Sequence, residues 1–317
     1  MKHTMKLFGV SMLLVFAILL AACGGTTAHV HEYTDTWVAP TVDRQGYHLH
    51  TCSCGDSYTD GFTGLAGEDE LVAGLPKYNV LFVGNSYTYC NSLYDLVRRI
   101  AVGQGYTFTY AQVTKGSYYL TQFASDSDTY GKKVQAELNK KTHNLVILQE
   151  QSVRPAINAN EFYKGVAALI DKIEPTGADV LLYQTWGRKA GHETLTKYGM
   201  TTETMAKKLA AAYEAAAEAF DCALTPAGSA MLDVYRNHPE IELYNTDKSH
   251  PSPTGSYLVA LCMYATIYGK SPVGVTYTGS IPADVVPILQ QAAERAVFGP
   301  SIVTEEYRTT VPAEYRK

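Results

Sequence analysis

The sequence predicts an α/β protein: a three-layer domain with a parallel sheet between helices, preceded by a small β-rich module. Three observations carry this. From residue 78 onward, short apolar runs alternate with stretches of helical period, as in strands joined by helical crossovers. Ahead of them, residues 29–62 alternate aromatic and polar side chains between turn signals at Gly46 and Gly55, a hairpin pattern without helical period. The chain has 317 residues, 46% hydrophobic and 18% charged, ordinary globular composition with room for one sizeable core.

At the N-terminus, Lys2, His3 and Lys6 precede an apolar stretch at 7–20 that ends in Leu20-Ala21-Ala22-Cys23 and Gly24-Gly25. The stretch is short for a membrane span and has the build of a signal segment. Small residues before a cysteine resemble the lipobox of bacterial lipoproteins. That resemblance implies a signal peptide at 1–22, cleavage before Cys23 and lipidation of its thiol. An ordinary signal peptide or a short anchor is the alternative; each exports the rest of the chain. The expected location is extracytoplasmic, at the bacterial cell membrane, with residues 23–28 as a tether.

The 29–62 module holds His29, His31, His48, His50, Cys52 and Cys54. It resembles a short repeat of exported proteins from Gram-positive anaerobes, with a His, a Trp, a Pro-Thr-Cys and a later Gly-Tyr…Thr-Cys-x-Cys-Gly. Here Ala39-Pro40-Thr41 is followed by Val42, so the middle cysteine is missing. The two-residue spacing of paired zinc cysteines is also absent. A zinc site from Cys52, Cys54, His31 and His50 stands against a stalk or adhesion module with reduced thiols. Residues 63–77, with several Gly and acidic residues, read as a linker.

The main domain spans 78–298. Its strand-like runs are 79–83, 108–113, 145–148, 180–183 and 223–226, and its helical stretches 92–102, 161–173, 197–220, 254–268 and 283–297. The second run alternates most and suits a sheet edge. Residues 299–317 form a polar tail.

Net charge is -5, and no Lys/Arg run exceeds pairs such as Lys140-Lys141, which argues against nucleic acid as the main partner. The 24 tyrosines, against 9 Phe and 2 Trp, suit sugar-like ligands or serve as strand and surface filler. With Cys23 lipidated, five of the six cysteines remain, an odd count for a complete disulfide framework. Cys222 and Cys262 read as small buried hydrophobes.

The stretch "VLFVGNSYTYCNS" at 80–92 ends an apolar run on Gly84 and presents Asn85 and Ser86. In an open parallel sheet, ligands bind at the carboxyl ends of the strands. Gly84 allows a sharp turn there, and a helix opening at Asn91 or Ser92 points its positive end at the same crevice. A serine hydroxyl needs a base within reach. "NTDKSHPSPTGSYLVA" supplies Asp247-x-x-His250 ahead of the 254–268 helix. One turn of spacing lets the carboxylate fold back on the imidazole and fix its tautomer. His238, near Asp233, is a competitor for the base without that spacing.

Together, Gly84-Asn85-Ser86 and Asp247-Lys248-Ser249-His250 resemble the SGNH, or GDSL-like, hydrolase superfamily over residues 78–298. The closest likeness is to a branch with Gly-Asn-Ser-Tyr/Phe and Asp-x-x-His-Pro-Ser-x-x-Gly-Ser-Tyr-Leu, matched by Asp247 through Leu258. The resemblance implies a flavodoxin-like α/β/α domain and a serine esterase without metal or organic cofactor. Ser86 would be nucleophile, His250 base and Asp247 its orienter. The amides of Ser86 and Gly116 would form the oxyanion hole. Where the superfamily carries Gly-x-Asn-Asp, this chain reads Gln149-Glu150-Gln151-Ser152, so Gln149 or Gln151 is expected to replace the Asn. Asn85 and Tyr87 are expected at the substrate, and Trp186 either walls the pocket or packs as core. The expected substrate is a small-molecule or glycan ester, O-acetylated carbohydrate first. The alternative is a surface glycan- or partner-binding lipoprotein with little or no turnover.

Overall fold

The computed structural model describes residues 31–39, 47–54, 57–60 and 76–316, in two compact units that divide between Ala66 and Gly67. The signal segment, the tether with Cys23 and most of the 63–77 linker lie outside the described residues.

The first unit is an antiparallel sheet, β1 (Tyr33–Val38), β2 (Tyr47–Cys52) and β3 (Ser57–Asp60), in the order β1-β2-β3. Tyr33 pairs with Cys52, Asp35 with His50 and Trp37 with His48. Directly paired residues share a face, so the module's aromatic and metal-capable side chains gather on one side. His31, Cys52 and Cys54 bring their ligand atoms within 4.8 Å of one another. His50, expected in that set, stands outside it: its register places it a pair further along, stacked on His48.

The second unit runs in chain order β4 (Lys77–Gly84), α1 (Ser86–Tyr89), α2 (Leu93–Gly103), β5 (Thr107–Thr114), α3 (Leu120–Phe123), α4 (Thr129–Asn139), β6 (Leu145–Leu148), α5 (Arg154–Ile157), α6 (Ala159–Ile173), β7 (Asp179–Tyr183), α7 (Glu193–Lys197), α8 (Thr202–Phe220), β8 (Ala223–Thr225), α9 (Ala227–Asn237), α10 (Pro253–Tyr268) and α11 (Val286–Phe298). The five strands pair in parallel in the order β5-β4-β6-β7-β8. This is the flavodoxin-like arrangement, with the alternating second run at the edge.

The period of two along β4 divides the core. Val80 and Phe82 face α2, α9, α10 and α11, whereas Leu81 and Val83 face α3, α4, α6 and α8. Helix α10 is buried on nearly every side, which explains its unbroken apolar run. The tail is less peripheral than its composition suggests, since Val311 is buried against the second face. Among the described residues no helix is long and apolar enough to cross a membrane.

The chain order reverses between β4 and β6, the switch point where open α/β sheets bind ligands. There Gly84 ends β4 under close approach: a Cβ would meet Thr88 Oγ1 at 2.2 Å and Gln149 Oε1 at 2.8 Å. Gly84→Ala is expected to destabilise the domain by about 1–3 kcal/mol through overpacking, read as a lower urea midpoint at unchanged slope.

Candidate active site

Asn85 leaves β4 in extended conformation and caps α1, its Oδ1 accepting the Tyr87 N–H at 3.2 Å. Ser86 is therefore the first helical residue. The helix expected from Asn91 or Ser92 is α2, which starts at Leu93 after a kink, and the short α1 precedes it. Asn91 and Ser92 both take left-handed backbone angles, φ 52° and 51°, which non-glycine residues adopt only when their surroundings hold them there. The Asn91 amide does so, donating to the Pro251 carbonyl at 2.9 Å and the Ser256 hydroxyl at 2.8 Å. It fastens the loop after β4 to the loop before α10.

That second loop is set locally. Lys248 takes φ 60°, and Asp247 Oδ1 accepts the N–H groups of Ser249 and His250, both at 2.9 Å. Asp247 Oδ2 accepts His250 Nδ1–H at 2.5 Å. This selects the tautomer whose Nε2 accepts, and the Ser86 hydroxyl lies 2.8 Å from it. Beyond His250, Ser252 caps α10 with its Oγ on the Gly255 N–H at 3.1 Å, and Pro253 fills the first helical position. Burial pushes the Asp247 carboxyl up, but hydrogen bonds from the His250 ring and the Ser249 and His250 amides outweigh it, so its pKa lies below the ordinary value. The Asp247 side chain is 48% exposed and that of His250 33%. Solvent screens so open a pair, so Asp247 chiefly orients the ring.

Tyr87, expected at the substrate, and Trp186, expected either to wall the pocket or to pack as core, lie beneath this loop instead. Both are buried, stacked at 4.3 Å between ring centroids. The Tyr87 hydroxyl and the Trp186 indole N–H donate to the Ser249 carbonyl at 2.7 and 3.1 Å, and His250 sits edge-on to Tyr87 at 5.5 Å. Arg188 completes the platform, donating to the Tyr87 and Ser249 hydroxyls and, at 2.8 Å, to that of Ser152. Nothing in the local sequence marks Arg188 for this, because its partners come from three separate segments of the chain.

Asn85 is also turned away from substrate, its Nδ2 donating to the Tyr118 carbonyl at 3.1 Å and the Glu150 carbonyl at 3.4 Å. Gln149 cannot serve as the expected oxyanion donor. Its Oε1 accepts the Asn85 N–H at 2.9 Å and the Thr88 hydroxyl at 2.8 Å, and its Nε2 donates to the Glu150 carbonyl. Gln151 uses its side-chain oxygen to accept the N–H groups of Val153 and Arg154, at 3.0 and 3.1 Å. The side chain that does reach the crevice is Tyr89, one turn after Ser86. Its hydroxyl would stand 3.1 Å from a Cβ on Gly116. The competitor His238 pairs with Glu240, while Asp233 pairs with Arg295, so neither joins this site.

Below the switch point Glu150 is fully buried. It accepts the N–H groups of Gln151 at 2.5 Å and Leu120 at 3.3 Å. Burial pushes its carboxyl up to about 8, against the pull of the Gln151 amide, Arg154 and the Leu120 amide.

No protein-family model and no curated protein sequence matches the chain. Among solved structures it is similar to a candidate SGNH hydrolase from Slackia heliotrinireducens at 28% identity and TM-score 0.55, over 61% of this chain and 100% of that one. It is also similar to a DUF4886 family protein from Bacteroides uniformis at 18% identity and TM-score 0.61, over 73% and 98%; at that identity the likeness concerns the fold. The domain has the fold of the SGNH, or GDSL-like, hydrolases.

The Glu150 shift has a thermodynamic consequence. Between the ordinary glutamate value of 4.5 and about 8, the folded state holds a proton that the unfolded state has lost. Stability is then full below the lower value and falls as pH rises towards the upper one, by at most about 1.4 kcal/mol per pH unit. Glu150→Gln removes this slope. Thermal unfolding at pH 5 and pH 8 is expected to show the variant gaining on the parent at the higher pH; an equal difference at both contradicts the shift.

Proposed function

We propose that the protein is an exported, lipid-anchored serine esterase that removes short O-acyl groups, acetyl first, from carbohydrate or a comparable small ester. The observation that carries the reading is the continuous line Asp247–His250–Ser86, with contacts of 2.5 and 2.8 Å. As Ser86 Oγ attacks the ester carbonyl, His250 Nε2 takes its proton, and Asp247 holds the imidazolium that forms. His250 then protonates the leaving alcohol. Water, giving its proton to His250, next cleaves the acyl–Ser86 bond and frees the acid and the serine.

The tetrahedral oxyanion needs donors aimed at it. The Ser86 and Gly116 amides and the Tyr89 hydroxyl are assigned to it, Tyr89 replacing the superfamily's Asn. The half-exposed His250–Asp247 pair suits a short acyl group on a large polar alcohol, which then remains largely in solvent. Export and attachment at Cys23 rest on the N-terminal pattern. The name of the Slackia relative supports hydrolysis as the class of reaction.

A second reading is a glycan-binding lipoprotein with weak turnover. The hydrogen bonds that occupy the Gln149 carboxamide, which remove one candidate oxyanion donor, favour it. Hydrolysis of an activated acetyl ester separates the two. Ser86→Ala is expected to lose about a thousandfold or more in kcat; equal rates in parent and variant sink the nucleophile assignment, and a parent without turnover favours the binder. Tyr89→Phe is expected to lower kcat about 100- to 1000-fold, the usual cost of one oxyanion donor, with KM little changed. An unaltered kcat removes Tyr89 from the hole.

A further inference from the structure

The three-stranded unit carries chemistry that the ester site does not use. Its register explains how. Tyr33 lies opposite Cys52. In an antiparallel pair, two residues back along one strand meet two residues on along the other, so His31 arrives beside Cys54. Cys54 lies in the turn just after β2, which brings its sulfur round beside that of Cys52. Their sulfurs and a His31 ring nitrogen all fall within 4.8 Å of one another.

We infer that His31, Cys52 and Cys54 form a Zn2+ site built from one imidazole nitrogen and two thiolates, with solvent as the fourth ligand. His31 Nδ1 and Cys54 Sγ are 3.3 Å apart. Zinc bonds of about 2.0–2.1 Å to nitrogen and 2.3 Å to sulfur place two tetrahedral ligands roughly 3.5 Å apart. That pair already has the spacing, and the remaining gap to Cys52 closes by about 1 Å. Cys52 is buried and Cys54 exposed, which gives the site a floor and an open rim. A donor set of two sulfurs and one nitrogen selects zinc or another soft metal over Ca2+ or Mg2+. Binding replaces two thiol protons, which leave to solvent, and the Cys54–His31 hydrogen bond gives way to two metal bonds.

The site also answers a stability problem. A sheet of three short strands has little core of its own, and Tyr33 and Trp37 remain 38% and 46% exposed. A metal tying the segment before β1 to the turn after β2 supplies folding energy that such a unit otherwise lacks.

The test uses the full-length, reduced protein. Elemental analysis is expected to find equimolar Zn2+. Replacement by Co2+ is expected to give intense thiolate-to-cobalt charge-transfer absorption, which reports sulfur ligation in the parent whatever the variants do. The double variant Cys52→Ser/Cys54→Ser is expected to lose both signals. His31→Gln is expected to weaken binding, and His50→Gln to leave metal content and spectrum unchanged. Removing zinc is expected to leave ester hydrolysis as it was. No Zn2+ uptake by the reduced protein, zinc retained in the double serine variant, or a Co2+ spectrum without the sulfur band overturns the site. Loss of binding in His50→Gln overturns the three-ligand assignment.

Discussion

The contact on which the rest depends is the hydrogen bond from Ser86 Oγ to His250 Nε2, 2.8 Å long between side chains 164 residues apart in sequence. Neither loop alone has catalytic value. A serine without a base is inert at neutral pH, and an oriented imidazole without a nucleophile does nothing useful. Much of the surrounding structure keeps this one distance. Asn91 ties the two loops together from above α2. Tyr87, Trp186 and Arg188 hold Ser249, the residue beside His250, from below. Ser252 fixes where α10 starts and therefore where the loop must end.

The second constraint is the buried polar layer at the switch point. Gln149, Asn85 and Glu150 are all nearly inaccessible, and Gln149 and Asn85 exchange hydrogen bonds with one another's neighbourhood instead of facing a ligand. Buried amides left unpaired are costly, so this network specifies one geometry for the turn after Gly84. In the proposed mechanism the oxyanion role then falls to backbone amides and to Tyr89.

Much of this was legible in the chain because it is local. The five apolar runs became the five strands, and the strong alternation of the second run placed it at the edge. Gly84-Asn85-Ser86 and Asp247-x-x-His250 each encode their own turn, so the two loops declared themselves. What the sequence hid depends on tertiary partners. Tyr87 looks like a pocket residue until its stacking on Trp186 beneath Ser249 is seen. Gln149 looks like a free donor until Asn85 N–H and Thr88 claim its oxygen. Tyr89 carried a usable signal, its one-turn spacing from Ser86 on α1, but only once the helix is known to begin at Ser86. His50 was grouped with the cysteines by proximity in sequence, but its ring stacks on His48 and stands outside their cluster.

Phosphonylation by a fluorophosphonate, mapped by peptide mass analysis in the parent and in His250→Gln, tests the central claim most directly. The account predicts an adduct on Ser86 in the parent and its near-complete loss in the variant, because the hydroxyl is reactive only while the imidazole accepts its proton. An adduct on a different residue, or labelling of Ser86 at the parent's rate without the imidazole, contradicts it.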